Sequence, residues 1–271
     1  MIEGLQPLHV AREDDGALWC LTLNHGKANE VGSAVLDALV RLATDIRADA
    51  QSRALITWST KETRSGTPVF VAGADVKERE GWTDAQVLDH VARQREVLWM
   101  LRDAPVFHAG VVSGVAYGWG CEYALLCDYV IATPKARFAL PETGLGIVPG
   151  AGGTAALHRR VGRAQALRLG MTGEAIDAEE ALRIGLVQEL APSLEDALAR
   201  ARALATLASR RSPTALAAYK RTVLQLTEDD ASLEQSAYAA CVLSGDAAVG
   251  REWFGAGRPA GPIGWNPRRD G

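Results

Sequence analysis

The stretch GVAYGWGCEYALLCD, residues 114–128, places three glycines and Trp119 ahead of Glu122, an acid in an otherwise apolar setting. Glycines let the chain turn sharply and bring backbone amides close to a ligand, and a helix start adds N–H groups with no intrahelical partner. Such donors suit an oxyanion better than a nucleotide phosphate, because Glu122 would repel a phosphate. The spacing also fails the dinucleotide fingerprint G-x-G-x-x-G, and no G-x-x-x-x-G-K-[ST] occurs. Twenty residues on, Glu142 stands in LPETG, where taken alone it reads as a helix-terminus or surface glutamate. Other chemistries find little support. Ser113 precedes Gly114 without a G-x-S-x-G elbow, and His25 and His158 are isolated. No histidines and acids recur at metal spacing. His108, inside the apolar run VFHAG, reads as a core histidine or a partner behind the site.

These residues must be positioned by surrounding elements. ALWCLTL (17–23) and ALITW (54–58) are short β-branched and aromatic runs. Between them Val31, Val35, Leu36, Leu39, Leu42 and Ile46 recur at helical spacing, so strand, helix and strand form a unit on a layered sheet. Residues 65–86 read as loop and turn, and 85–104 as a second helix that ends before Pro105. A strand over 105–114 leads into a short buried helix carrying Glu122, and 129–132 enters the next strand. The rest reads as helical, over 155–169, 178–184, 194–208 and 213–226, with Pro213 at a helix's first turn. Strands are thus expected mainly before residue 148, and the last 70 or so residues form a helical region. The closing GRPAGPIGWNPRRDG is either a frayed tail or a subunit contact, since Trp253, Phe254 and Trp265 are costly to leave wet. No internal repeat or low-complexity tract stands out.

Composition narrows the classes further. A chain of 271 residues, 48% hydrophobic and 23% charged, suits one core plus a small appendage. Its formal charge of −4 offers no basic surplus for a nucleic-acid backbone, and RRVGR (159–163) is too short to serve as a patch. The N-terminus lacks a basic head followed by an apolar run, and no apolar stretch has the length of a membrane span. Cys20, Cys121, Cys127 and Cys241 form no CxxC pair and read as thiols of a reducing compartment, so a cytoplasmic location is expected.

Six segments in order resemble the crotonase, or enoyl-CoA hydratase/isomerase, family over nearly the whole chain. They are VFVAGADVKE (69–78), SGVAYGWGCEYALLCD (113–128), ARFALPETGLGIVPGAGGTAAL (136–157), GRAQALRLGMTGEAIDAEEALRIGLV (162–187), SPTALAAYK (212–220) and VGREWFGAGRPA (249–260). The resemblance implies an α/β fold, a crotonase-like spiral of ββα units with a helical C-terminal subdomain. It divides the chain into a core over 1–200 and a helical trimerisation region over 201–271, and implies homotrimers, often paired as hexamers.

What the family does sets the chemical expectation. Its members bind an acyl-CoA thioester, and two backbone N–H groups polarise the thioester carbonyl. By match these belong to Ala74 and Trp119. Most relatives carry glycine where this chain has Trp119; a backbone donor survives the change, and the indole either narrows the acyl chamber or packs into a neighbouring core. Glu122 and Glu142 match the two glutamates of members that hydrate a 2-enoyl thioester, which makes the expected reaction reversible addition of water to give a 3-hydroxyacyl-CoA. Double-bond isomerisation, ring C–C hydrolysis, decarboxylation or a non-catalytic binding role are the alternatives. By position, Lys27, Ala28, Ala72, Asp75, Val76 and Arg258 are candidates for CoA, although Lys27 also reads as a solvated turn residue and Asp75 as a cap. No tightly bound cofactor or metal is expected; coenzyme A enters as part of the substrate.

Overall fold

Three turns of chain, each laying strand in both of two sheets before a helix, build the molecule's centre. In the computed structural model, residues 2, 4–211, 213–225, 238, 239, 242, 243, 245–257 and 259 are described. β1 (His9–Glu13) and β2 (Leu18–Leu23) form an antiparallel pair, and α1 (Ser33–Ala48) follows. The first turn is then β3 (Ala54–Ser59), β4 (Lys61–Glu62), β5 (Pro68–Val71) and α2 (Asp84–Arg102). The second is β6 (Phe107–Val112), β7 (Val115–Tyr117) and α3 (Trp119–Leu126), and the third is β8 (Tyr129–Ala132), β9 (Arg137–Ala139) and α4 (Gly153–Thr172). One sheet has the order β1-β2-β3-β6-β8-β11 and the other β10-β9-β7-β5-β4, where β10 is Ile176–Asp177 and β11 Glu189–Leu190. Within each, the strands of successive turns pair in parallel. The expected ββα spiral is therefore present.

Local sequence accounts for the helices. α1 buries Val35, Leu36, Leu39, Leu42 and Ile46 on one face, whereas Val31 lies ahead of it in a bridge to Ala74. α2 starts in a capping box: the Thr83 side chain accepts from the Gln86 amide and the Gln86 side chain from the Thr83 amide. α5 (Ala178–Arg183) and α6 (Leu194–Ser209) are capped by Asp177 and Ser193. α6 runs unbroken past residue 200 and sets Ala197, Ala201 and Ala205 against the apolar face of the six-stranded sheet. α7 (Pro213–Gln225) starts at Pro213 as expected, and α8 (Asp246–Gly255) lies against the turn Glu142–Leu145.

Two readings of the sequence need correction. Residues 65–86 are not all loop, because Pro68–Val71 is a strand of the second sheet, between β7 and the edge strand β4. The run 105–114 is the first of two strands: the chain breaks at Ser113 and Gly114 and re-enters the other sheet as β7. A Cβ on Gly114 would stand 2.1 Å from the Pro68 carbonyl oxygen, so the crossover requires glycine.

Candidate active site

The candidate site lies where the loop after β5 meets the start of α3. Val31 spends both its backbone groups on this loop, donating to Gly73 and accepting from Asp75. That parallel bridge leaves the intervening Ala74 amide turned away from it. Trp119 is the first residue of α3, where an amide has no intrahelical acceptor. Neither N–H has a hydrogen-bond partner among the described residues. Gly118, at φ 52° and ψ −122°, makes the sharp entry to the helix, and its amide donates to the Ala139 carbonyl at 2.9 Å. The Cα of Gly73 lies 4.0 Å from where a Cβ on Gly118 would stand, so the two loops touch and the two amides share one neighbourhood.

Both acids belong to this neighbourhood. Glu142 opens the turn Glu142–Leu145 and is buried, with Oε1 3.0 Å from the same Cβ position on Gly118. Glu122 sits one helical turn into α3, and its Oε1 accepts from the amides of Ala151 at 2.8 Å and Gly153 at 3.0 Å. Burial pushes its pKa up to about 7, against the opposing pull of those two amides and of Arg95 and Arg79. Cys121 feels both carboxylates and is held as the neutral thiol, its pKa raised first by burial. Two buried acids and two amides without a partner among the described residues thus gather around the start of α3.

Trp119 resolves its own question. Its φ is not positive, so an ordinary L-residue suits the position. The ring is 3% exposed and packs in the main core, 5.5 Å from the Tyr123 ring. Tyr123 in turn shares Thr57 with His108: its hydroxyl lies 2.8 Å from Thr57 Oγ1, and His108 Nε2 lies 3.0 Å from the same atom. Burial lowers the His108 pKa to about 3, so it is a neutral core histidine.

The candidates for CoA divide. The Ala72 amide donates to the Ala28 carbonyl at 3.1 Å, which joins the loop 25–30 to the loop after β5. Lys27 and Ala72 are exposed and Ala28 and Val76 half-buried along this join. Asp75 Oδ1 accepts from the Lys77 amide at 3.0 Å, the local capping role open to it. Arg258 lies outside the described residues, as do Trp265 and Cys241. Among the described residues, no group of three or more His, Cys, Asp or Glu could hold a metal ion.

Sequence reasoning passed over several groups. Asn29, at φ 57°, is fully buried and bonds Ser59 Oγ at 2.9 Å and the Phe70 carbonyl at 2.8 Å, which pins the loop 25–30 to β3 and β5. Ala151 and Gly153 hold Glu122, and the polar residues His90, Gln94 and Arg95 occupy buried positions of α2. The signal for the last group was available: they fall on the turns that carry Val87, Val91 and Leu98. A cavity of about 600 Å³ opens elsewhere, between α7 and the body, and neither acid lines it.

Comparison with known proteins gives the family. Residues 13–246 match the family model described as enoyl-CoA hydratase/isomerase. A protein of Mycobacterium bovis named probable enoyl-CoA hydratase echA8 is 38% identical over 224 residues, covering 81% of this chain and 82% of its own. The short-chain-enoyl-CoA hydratase of Clostridium acetobutylicum is 35% identical over 88% of this chain and 91% of its own. Among solved structures, an enoyl-CoA hydratase from Bacillus anthracis superposes with a TM-score of 0.76 at 31% identity, covering 96% of this chain and all of that one. The fold and the site thus define an α/β enzyme of the ββα-spiral class. The chain belongs to the enoyl-CoA hydratase/isomerase, or crotonase, family.

Proposed function

We propose that the protein adds water reversibly across the double bond of a 2-enoyl-CoA to give a 3-hydroxyacyl-CoA. What supports this reading is that two buried glutamates and two amides without a partner among the described residues lie around the start of α3, Glu142 against Gly118 and Glu122 one helical turn on. In the proposed cycle the thioester oxygen accepts from Ala74 N–H and Trp119 N–H, which stabilises the enolate-like charge that develops there. Glu122 takes a proton from water as its oxygen bonds Cβ, and Glu142 delivers a proton to Cα, so one water is added and both carboxyls are restored by proton exchange. A carboxyl near neutrality is a better base for this step than one near 4. The raised pKa of Glu122 meets that need.

The remaining assignments follow from the same reading. Lys27, Ala28, Ala72, Asp75 and Val76, with Arg258 beyond the described residues, would flank the pantetheine and phosphates of the substrate. The region 201–271 would close the chain into a trimer or hexamer; α7 exposes Tyr219 and Val223 at helical spacing there. A cytoplasmic location suits the buried free thiols Cys20, Cys121 and Cys127. No helix among the described residues is long and apolar enough to cross a membrane.

The test is loss of enoyl-thioester absorbance from crotonyl-CoA and a panel of longer, branched and aromatic enoyl-CoAs. We expect turnover on part of the panel and a fall of at least about a hundredfold in kcat for Glu122→Gln and for Glu142→Gln, the upper part of the range for a general acid or base. Turnover that survives either substitution would remove that residue from the mechanism, and silence across the panel would remove hydration.

A further inference from the structure

Beside Glu122 lies a cluster of charge that hydration of a plain enoyl group does not use. Arg79, five residues beyond Ala74 on the same loop, is 9% exposed, and Arg95 on α2 is 4% exposed. Neither forms a salt bridge among the described residues. Arg79 Nη2 donates to Gln94 Oε1 at 3.2 Å and Nη1 lies 3.5 Å from the Tyr238 hydroxyl, but its Nε is buried with no partner. Both guanidinium charges are felt at Glu122. The Tyr238 ring covers Gly150, next to the Ala151 amide that holds Glu122, so the cluster borders the site directly. Among the described residues, the other nearby charged and titratable groups are committed elsewhere. Glu78 is committed to the Ser33 amide, Arg93 to Asp37, and His90 is held neutral, by burial first and then by Arg79.

Apart from Glu122, which burial holds close to neutral, no carboxylate among the described residues faces these two buried guanidinium groups; such charges are expensive to leave unpaired, and a fork of N–H donors is the geometry that recognises a carboxylate. We infer that the acyl group bound beside Glu122 ends in a carboxylate, which Arg79 and Arg95 receive. The substrate class is then a dicarboxylic enoyl-CoA. This rests on the reading of the site as an acyl-CoA chamber and adds the polarity of its far end.

The probes are saturated thioesters, which bind without reacting: succinyl-, glutaryl- and adipyl-CoA, each titrated calorimetrically beside the neutral acyl-CoA of equal carbon number. At one chain length at least, the diacid thioester should bind about tenfold more tightly or better, as a charged hydrogen-bonded pair provides. Arg79→Met and Arg95→Gln should each cut that preference to under about threefold, and Arg79→Lys, a milder change, should retain part of it. Absence of any diacid preference in the folded wild type overturns the inference, as does a preference that persists in both folded variants. Should the variants fail to fold, the wild-type ratio and Arg79→Lys decide it. Binding needs no turnover, so diacid preference without hydration would sink the hydratase reading and leave this one standing.

Discussion

Glu122 works at the tension between burial, which favours the neutral acid, and two backbone amides and two arginines, which favour the anion. Burial prevails, and the pKa settles near 7. As a base it must be ionised, so kcat/KM should rise with pH through about 7; a profile that is flat or falling between pH 5 and 8 contradicts the role. Stability runs the other way. From the ordinary 4.5 up to about 7 the folded chain binds more protons at this site than the unfolded one, so stability falls as pH rises across that window. Glu122→Gln lacks this titration. Its Tm relative to wild type should therefore climb between pH 4.5 and 7 and level off above, and a constant difference would show that burial does not perturb Glu122.

At the scale of elements, the site depends on backbones that touch. A Cβ on Gly120 would stand 2.2 Å from the Val71 carbonyl oxygen, so α3 rests directly on β5. A Cβ on Gly250 would stand 1.8 Å from the Leu145 carbonyl oxygen, so α8 presses on the turn that carries Glu142. Gly120→Ala should move the Trp119 amide and Glu122 together and lower kcat by tenfold or more, since about an ångström of misplacement costs on the order of a hundredfold. Gly250→Ala, acting only through the turn, should lower kcat while leaving CoA affinity near wild type. Equal losses in kcat and affinity would point to general unfolding instead. The same elements show what the sequence could and could not reveal. Leu18–Leu23 and Ala54–Ser59 were legible as short apolar runs, because both are buried on both faces, and α1 from the helical period of its one buried face. Pro68–Val71 was hidden: four residues in a turn-rich stretch become a strand because β4 and β7 lie on either side of them. His90, Gln94 and Arg95 were missed because a count of apolar residues along α2 skips the polar ones that are buried with them.

For the whole molecule, a structural repeat exists without a sequence repeat. Each turn divides its strands between the two sheets with different neighbours, so no common side-chain pattern is imposed on the three turns. The motifs around Glu122 and Glu142 were recognisable because backbone donors and buried acids require particular residues. Arg79 and Arg95 followed no such pattern, since in the proposal above what they face would depend on the acyl group. Assembly is the prediction at this scale. Light scattering should give three or six times the 28.9 kDa chain mass, and Tyr219→Glu, which puts a charge on the exposed face of α7, should lower it. A monomer at micromolar concentration would contradict the role given to residues 201–271.

The most direct test of the hydratase reading is the reaction in D₂O followed by NMR. Crotonyl-CoA should yield 3-hydroxybutyryl-CoA with a single deuterium at Cα on the same face as the new hydroxyl, and Glu142→Gln should lose that deuterium and the hydroxyl together. Deuterium at Cα without a hydroxyl at Cβ, or a migrated double bond, would show that the two glutamates move protons but do not add water.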